Sequence, residues 1–132
     1  LAIAEQAGSP IVAIFETHVQ ADHHSGAVQL AGLTGASIYL HESAEVEFSF
    51  VPMRDGDEIE LGNDYVRILH TPGHSLDSVS LVVGDRVRAD DAWLVFPGDT
   101  LFVGMSDDLI CTTLTIPRST PDCCMTVSST SC

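Results

Sequence analysis

Three short polar segments, far apart along the 132-residue chain, each carry metal-capable side chains directly after an apolar run. They are Thr17-His18-Val19-Gln20-Ala21-Asp22-His23, His70-Thr71-Pro72-Gly73-His74 and Pro97-Gly98-Asp99-Thr100. Ile11 to Phe15, Tyr65 to Leu69 and Ala92 to Phe96 precede them and read as strands. Rigid strand ends that carry ligands on tight turns can hold a metal with open coordination positions. The fold must therefore bring three strand ends to one place.

The rest of the pattern supplies such strands. Ala2 to Ala7 reads as the end of a helix closed by Gly8. Ser25 can cap a helix from about Gly26 to Leu33, which Gly35 closes. Ser37 to Leu40 reads as a second strand, so the first forty or so residues predict a βαβ unit with chemistry at the carboxyl end of its first strand. Glu45 to Phe50 alternates polar and apolar. Arg54-Asp55-Gly56-Asp57 is turn chemistry. Glu58 to Leu61 and Tyr65 to Leu69 flank Gly62-Asn63-Asp64 as a hairpin, and Ser78 to Val83 reads as a further strand.

Charge narrows the partners. The formal net charge is −14, and all five basic residues are arginines: Arg54, Arg67, Arg86, Arg88 and Arg118. Such a surface repels phosphate backbones and anionic lipid, so neither nucleic acid nor membrane is an expected partner. The apolar runs are too short to span a bilayer. No basic segment followed by an apolar stretch opens the chain, which points to the cytoplasm. Because the chain begins at Leu1 and not Met, an upstream piece is expected to be missing. The four cysteines, Cys111, Cys123, Cys124 and Cys132, all lie near the end and match no common zinc spacing.

His18, His74 and Asp99 would together offer two imidazoles and one carboxylate. That set, with open faces, suits a non-haem Fe(II) centre that binds oxygen and substrate together, and Zn(II) with an activated water suits it as well. Pro72 and Gly73 can form the turn that aims His74 inward. Gly98 lets the backbone turn ahead of Asp99. His70 is expected behind the ligands or in packing. His24 and His41 are expected at the surface.

At these motifs the chain resembles the metallo-β-lactamase superfamily, whose first motif is His-x-His-x-Asp-His. It is most similar to the persulfide dioxygenase branch, often fused to rhodanese domains, over about residues 1–104. The phrases that carry this are Glu16 to His23, His70 to His74, Pro97 to Gly104, and Arg54 to Glu58 with Leu61-Gly62. The resemblance implies an α/β fold, a partial metallo-β-lactamase-like αββα sandwich. It implies Fe(II) held by His18, His74 and Asp99, with Asp22 behind the ligands as a hydrogen-bond acceptor. In dinuclear hydrolases the positions of Asp22 and His23 bind a second metal. The implied reaction is oxidation of a thiol persulfide, glutathione persulfide, by O2 to sulfite. Gln20 stands where the superfamily usually has its second histidine, and no histidine follows Asp99. Both departures weigh against the alternative, a Zn-dependent thioester hydrolase of glyoxalase II type. A non-catalytic gene fragment is the third reading, with weak or lost activity.

Residues 105–132 form a divergent or out-of-frame tail. Where the branch has Asp-Val-Gly-Arg-Pro-Asp-Leu, this chain has Met105-Ser106-Asp107-Asp108-Leu109-Ile110-Cys111. One coding string, G ATG TCG GAC GAC CTG ATC TGC, yields the present residues in one frame and the branch's phrase from the leading G. A base lost near Gly104 accounts for both. Sequencing the coding DNA is expected to return codons for 105–111 that read both ways, and codons that cannot be so read exclude the slip.

Overall fold

The computed structural model describes residues 1–20, 24–87 and 92–101. Helix α1 (Ala2–Ala7) ends at Gly8, whose φ of 64° is the left-handed conformation a glycine adopts without strain. Then come β1 (Ala13–Phe15), α2 (Ala27–Thr34), β2 (Ser37–His41), β3 (Val51–Met53), β4 (Glu58–Leu61), β5 (Asp64–His70), β6 (Val79–Asp85) and β7 (Ala92–Phe96). A single 3-10 turn, Gly98–Thr100, follows β7. Among the described residues no helix is long and apolar enough to cross a membrane.

The strands form two sheets. One is parallel in the order β1-β2-β3, and the other is antiparallel in the order β4-β5-β6-β7. The βαβ unit is present as β1-α2-β2. Its first strand is shorter than the apolar run suggests, because β2 begins only at Ser37, opposite Ala13, and leaves Ile11 and Val12 without a ladder partner. Ser25 takes part in starting α2: its hydroxyl accepts the Ala27 N–H at 3.0 Å and donates to Glu16 at 2.6 Å. Glu45 to Phe50 is not a strand. The alternation there only sorts half-buried Val46, Phe48 and Phe50 from exposed Glu45, Glu47 and Ser49.

The core lies between the sheets. Met53, Val66, Ile68, Val79 and Leu81 form it, with Phe15, Tyr39, Ile59 and Val83 packed against them. These side chains come from both sheets, as expected of a sandwich. On β2 the period of two turns Tyr39 towards this core and buries Ile38 and Leu40 on the other face, where α2 packs. The layers are thus helix, parallel sheet and antiparallel sheet. On β7, by contrast, Trp93 and Phe96 remain 61% and 50% exposed.

The antiparallel sheet shows how one small residue admits a large one. Tyr65 pairs with Gly84 across β5 and β6 and is almost fully buried. A Cβ on Gly84 would collide with the Tyr65 ring. Arg86 lies over that ring at 4.6 Å and also binds Glu58 and Glu60. Gly84→Ala is therefore expected to destabilise the chain by about 1–3 kcal/mol through overpacking. A lower denaturant midpoint would register the loss, and an unchanged midpoint would show that the ring can shift freely.

Candidate metal centre

The three motifs emerge at the same end of the sandwich, after β1, β5 and β7. What holds them together is a set of bonds between loops. The Val79 N–H at the start of β6 donates to the Thr17 carbonyl at 2.8 Å, and the Val19 N–H donates to the Asp77 carboxylate at 2.9 Å. His18 lies between these two anchors. Asp77 is buried and also accepts the Ser75 hydroxyl at 2.7 Å. The turn over 71–78 closes on itself, with Thr71 N–H donating to the Ser78 carbonyl and Gly73 N–H to the Ser75 carbonyl. The third loop is pressed against the first. Gly98 has φ 56°, and a Cβ there would lie 2.8 Å from the Thr17 side chain. The Thr71 hydroxyl reaches Ser80 at 3.1 Å and Thr100 at 3.2 Å, tying the second loop to the third.

This frame brings His18, His74 and Asp99 together. Their nearest ligand atoms all lie within 4.8 Å of one another. His18 Nε2 is 3.6 Å from Asp99 Oδ2, and His74 Nε2 is 3.5 Å from the same oxygen. Ligand atoms on one ion at about 2.0–2.2 Å sit roughly 3–3.5 Å apart, so the donor set fits a single metal ion after small adjustments. The imidazoles meet edge to face, 5.0 Å between centroids. His18 Nδ1 lies 3.0 Å from the Thr17 hydroxyl. In the tautomer that donates Nδ1–H to this oxygen, the Nε2 lone pair is left facing Asp99, the usual arrangement behind a metal-binding histidine.

Gln20 joins the group as well. Its Nε2 is 2.5 Å from His74 Nε2, and its Oε1 is 3.4 Å from His18 Nε2. A cavity of about 440 Å³ opens beside His18, Gln20 and Asp99, with Val28, Leu40 and Phe48 on its apolar side.

The other expected residues fall differently. Asp22 and His23 lie outside the described residues, as does the tail over 105–132. The His70 ring donates Nε2–H to the Leu76 carbonyl at 2.9 Å and stacks on His41 at 3.9 Å, while its backbone N–H donates to Asp55. Among the described residues it makes no hydrogen bond with the triad. His24 is exposed as expected, but His41 is not at the surface: it is only 7% exposed. Strand β2 runs one residue further than its apolar run, because His41 pairs with Met53, and this carries the ring under His70. Asp77 was missed altogether. Its only sequence signal is an acid beside Ser78 in the short connection after His74.

Relatives place this geometry in context. No family model matches the chain. A hydroxyacylglutathione hydrolase of Hahella chejuensis is 35% identical over 89 residues, covering 67% of this chain and 33% of the relative. Another hydroxyacylglutathione hydrolase, from Rhodopseudomonas palustris, is 34% identical over 104 residues, covering 77% of this chain and 38% of the relative. The chain thus spans about a third of the length of the curated relatives it matches. Among solved structures, ETHE1 from Myxococcus xanthus superposes with a TM-score of 0.65 at 31% identity, covering 76% of this chain and 41% of that one. A metallo-β-lactamase from Staphylococcus aureus gives 0.70 at 31% identity, covering 78% and 33%. TTHA1623, solved in a di-iron-bound form, gives 0.58 at 25% identity, covering 80% and 58%. The architecture is part of a metallo-β-lactamase-like fold, and the enzymes of that superfamily are its structural neighbours.

Burial pushes the His41 imidazole below its ordinary value of 6.5, and neighbouring His70 acts the same way against the opposing pull of Glu42, Asp77 and Asp55. The folded chain therefore favours the neutral ring. That contribution is complete above the unfolded value and is lost as pH falls through it, because the unfolded ring takes up its proton first. Stability is expected to decline as pH falls below the ordinary imidazole value of 6.5, and His41→Phe should flatten part of that decline. Equal slopes for the two chains in urea titrations at several pH values would rule out the His41 contribution.

Proposed function

We propose that this chain carries the metal centre of a metallo-β-lactamase-fold enzyme that oxidises glutathione persulfide with O2 to sulfite, with one Fe(II) held by His18, His74 and Asp99. The observation that carries this reading is the donor set: two imidazoles and one carboxylate around one point, with a carboxamide beside them where a further imidazole would favour zinc. Fe(II), when bound there, supplies adjacent open positions for oxygen and a sulfur ligand. The chain's own residues do the rest. The Thr17 hydroxyl, 3.0 Å from Nδ1, orients the His18 ring so that Nε2 faces the ion's place. Asp77 and Val79 fix the loop that carries it. Asp99 brings a single negative charge, so the site stays net positive towards an anionic persulfide when a divalent ion is present. The apolar side of the cavity, Val28, Leu40 and Phe48, gives the thiol's carbon stem a place out of water. In the overall balance, persulfide, O2 and water give glutathione and sulfurous acid. The outer sulfur loses four electrons and O2 takes them.

A second reading is supported by the names of the curated relatives: hydrolysis of a glutathione thioester by a Zn(II)-activated water. Both readings share a glutathione-derived substrate and a metal at the triad. They differ in the ion and its number. Oxygen, a thiol persulfide and a cytoplasmic setting belong to the first reading.

Metal analysis after anaerobic loading is expected to find one iron per chain in the parent and almost none in His74→Ala. Oxygen uptake with glutathione persulfide should accompany iron. Two zinc ions per chain with thioester cleavage would instead favour the hydrolase, and stoichiometric iron in His74→Ala would remove the triad.

A further inference from the structure

Gln20 is not explained by the folding of its loop. The carboxamide contacts ring nitrogens, and they are the same two nitrogens that face Asp99: His74 Nε2 at 2.5 Å and His18 Nε2 at 3.4 Å. A half-buried amide at that point is in the coordination space of the triad. The His74 Nε2 lone pair cannot accept a Gln20 N–H and bind an ion at once. An ion that enters must therefore displace that N–H. The amide can comply cheaply, since half a turn about its last torsion exchanges N–H and C=O, which have nearly the same shape. After that turn the oxygen, which already faces His18, takes the nearer place beside His74.

We propose that Gln20 is a switchable fourth member of the metal centre: its N–H holds the His74 imidazole in place while no ion is bound, and its carbonyl oxygen serves the ion once one arrives. The inference rests on the metal site proposed above. Its consequence is selectivity. A carbonyl oxygen is a harder and weaker donor than an imidazole, so it penalises zinc and copper more than iron or manganese. The residue thereby biases the triad towards a redox-active ion and keeps its coordination loose on one side.

The test compares the parent chain with Gln20→Ala and Gln20→His, loaded anaerobically with Fe(II), Zn(II) or Co(II) alone. Affinities come from chelator competition, and coordination comes from the visible bands of the cobalt forms. Folding of each variant is checked by its denaturant midpoint. Gln20→Ala is expected to keep one ion per chain but bind Fe(II) and Co(II) about tenfold more weakly, with altered cobalt bands. Gln20→His is expected to bind Zn(II) about tenfold or more tightly than the parent, with a smaller gain for Fe(II). The inference is overturned if Gln20→Ala binds all three ions as tightly as the parent with the same cobalt spectrum, or if Gln20→His leaves zinc affinity unchanged. In both cases the parent's His74-dependent binding would still stand. A parent chain that binds no ion overturns both this inference and the proposed centre.

Discussion

The centre depends on the joint between the first loop and the start of β6. Two backbone N–H groups, Val79 and Val19, bind on either side of His18, one to the Thr17 carbonyl and one to the buried Asp77 carboxylate. A bond to a carboxylate is stronger than one between neutral groups, and a buried carboxylate left without donors would be costly. The joint therefore sets the distance between the His18 loop and the turn that ends in His74. Because β1 belongs to the parallel sheet and β6 to the antiparallel one, the same two bonds also lock the sheets together at the functional end.

Around that joint, small side chains do the positioning. Gly98 allows the third loop to lie against Thr17, and the hydroxyls of Thr71, Ser80 and Thr100 tie the turn, β6 and the Asp99 loop in one chain of contacts. None of these groups is charged, so the only formal negative charge among the triad and its hydroxyl neighbours is Asp99. The described arginines bind elsewhere, Arg54 to Glu42, Arg67 to Glu58, and Arg86 to Glu58 and Glu60. They are largely solvated pairs at the hairpin and turn surface, of small worth individually. They leave the centre's electrostatics to the ion and its ligands.

Much of the scaffold was legible because its signals are local. The glycine after Ala7, the glycine after Thr34 and the Gly62 turn mark element ends by backbone geometry, and each is in the left-handed conformation that glycine favours. Strand ends were less legible, since they depend on where a partner stops. β1 loses Ile11 and Val12 to the late start of β2, and β2 gains His41 from β3. The alternation of Glu45 to Phe50 correctly sorts faces yet makes no strand, because forming a ladder needs a partner and alternation does not supply one.

The sequence by itself determined the donor types, the order of the three motifs and their place at strand ends, since these follow from residue chemistry and short-range pattern. Only the tertiary structure decided that His18, His74 and Asp99 share one point, that Asp77 anchors the first loop, that His41 is buried under His70, and that Gln20 stands against both imidazoles. Each of these is a contact between segments that neither periodicity nor turn chemistry can register. Such distances are set by how the two sheets pack, and no local stretch of chain carries that information.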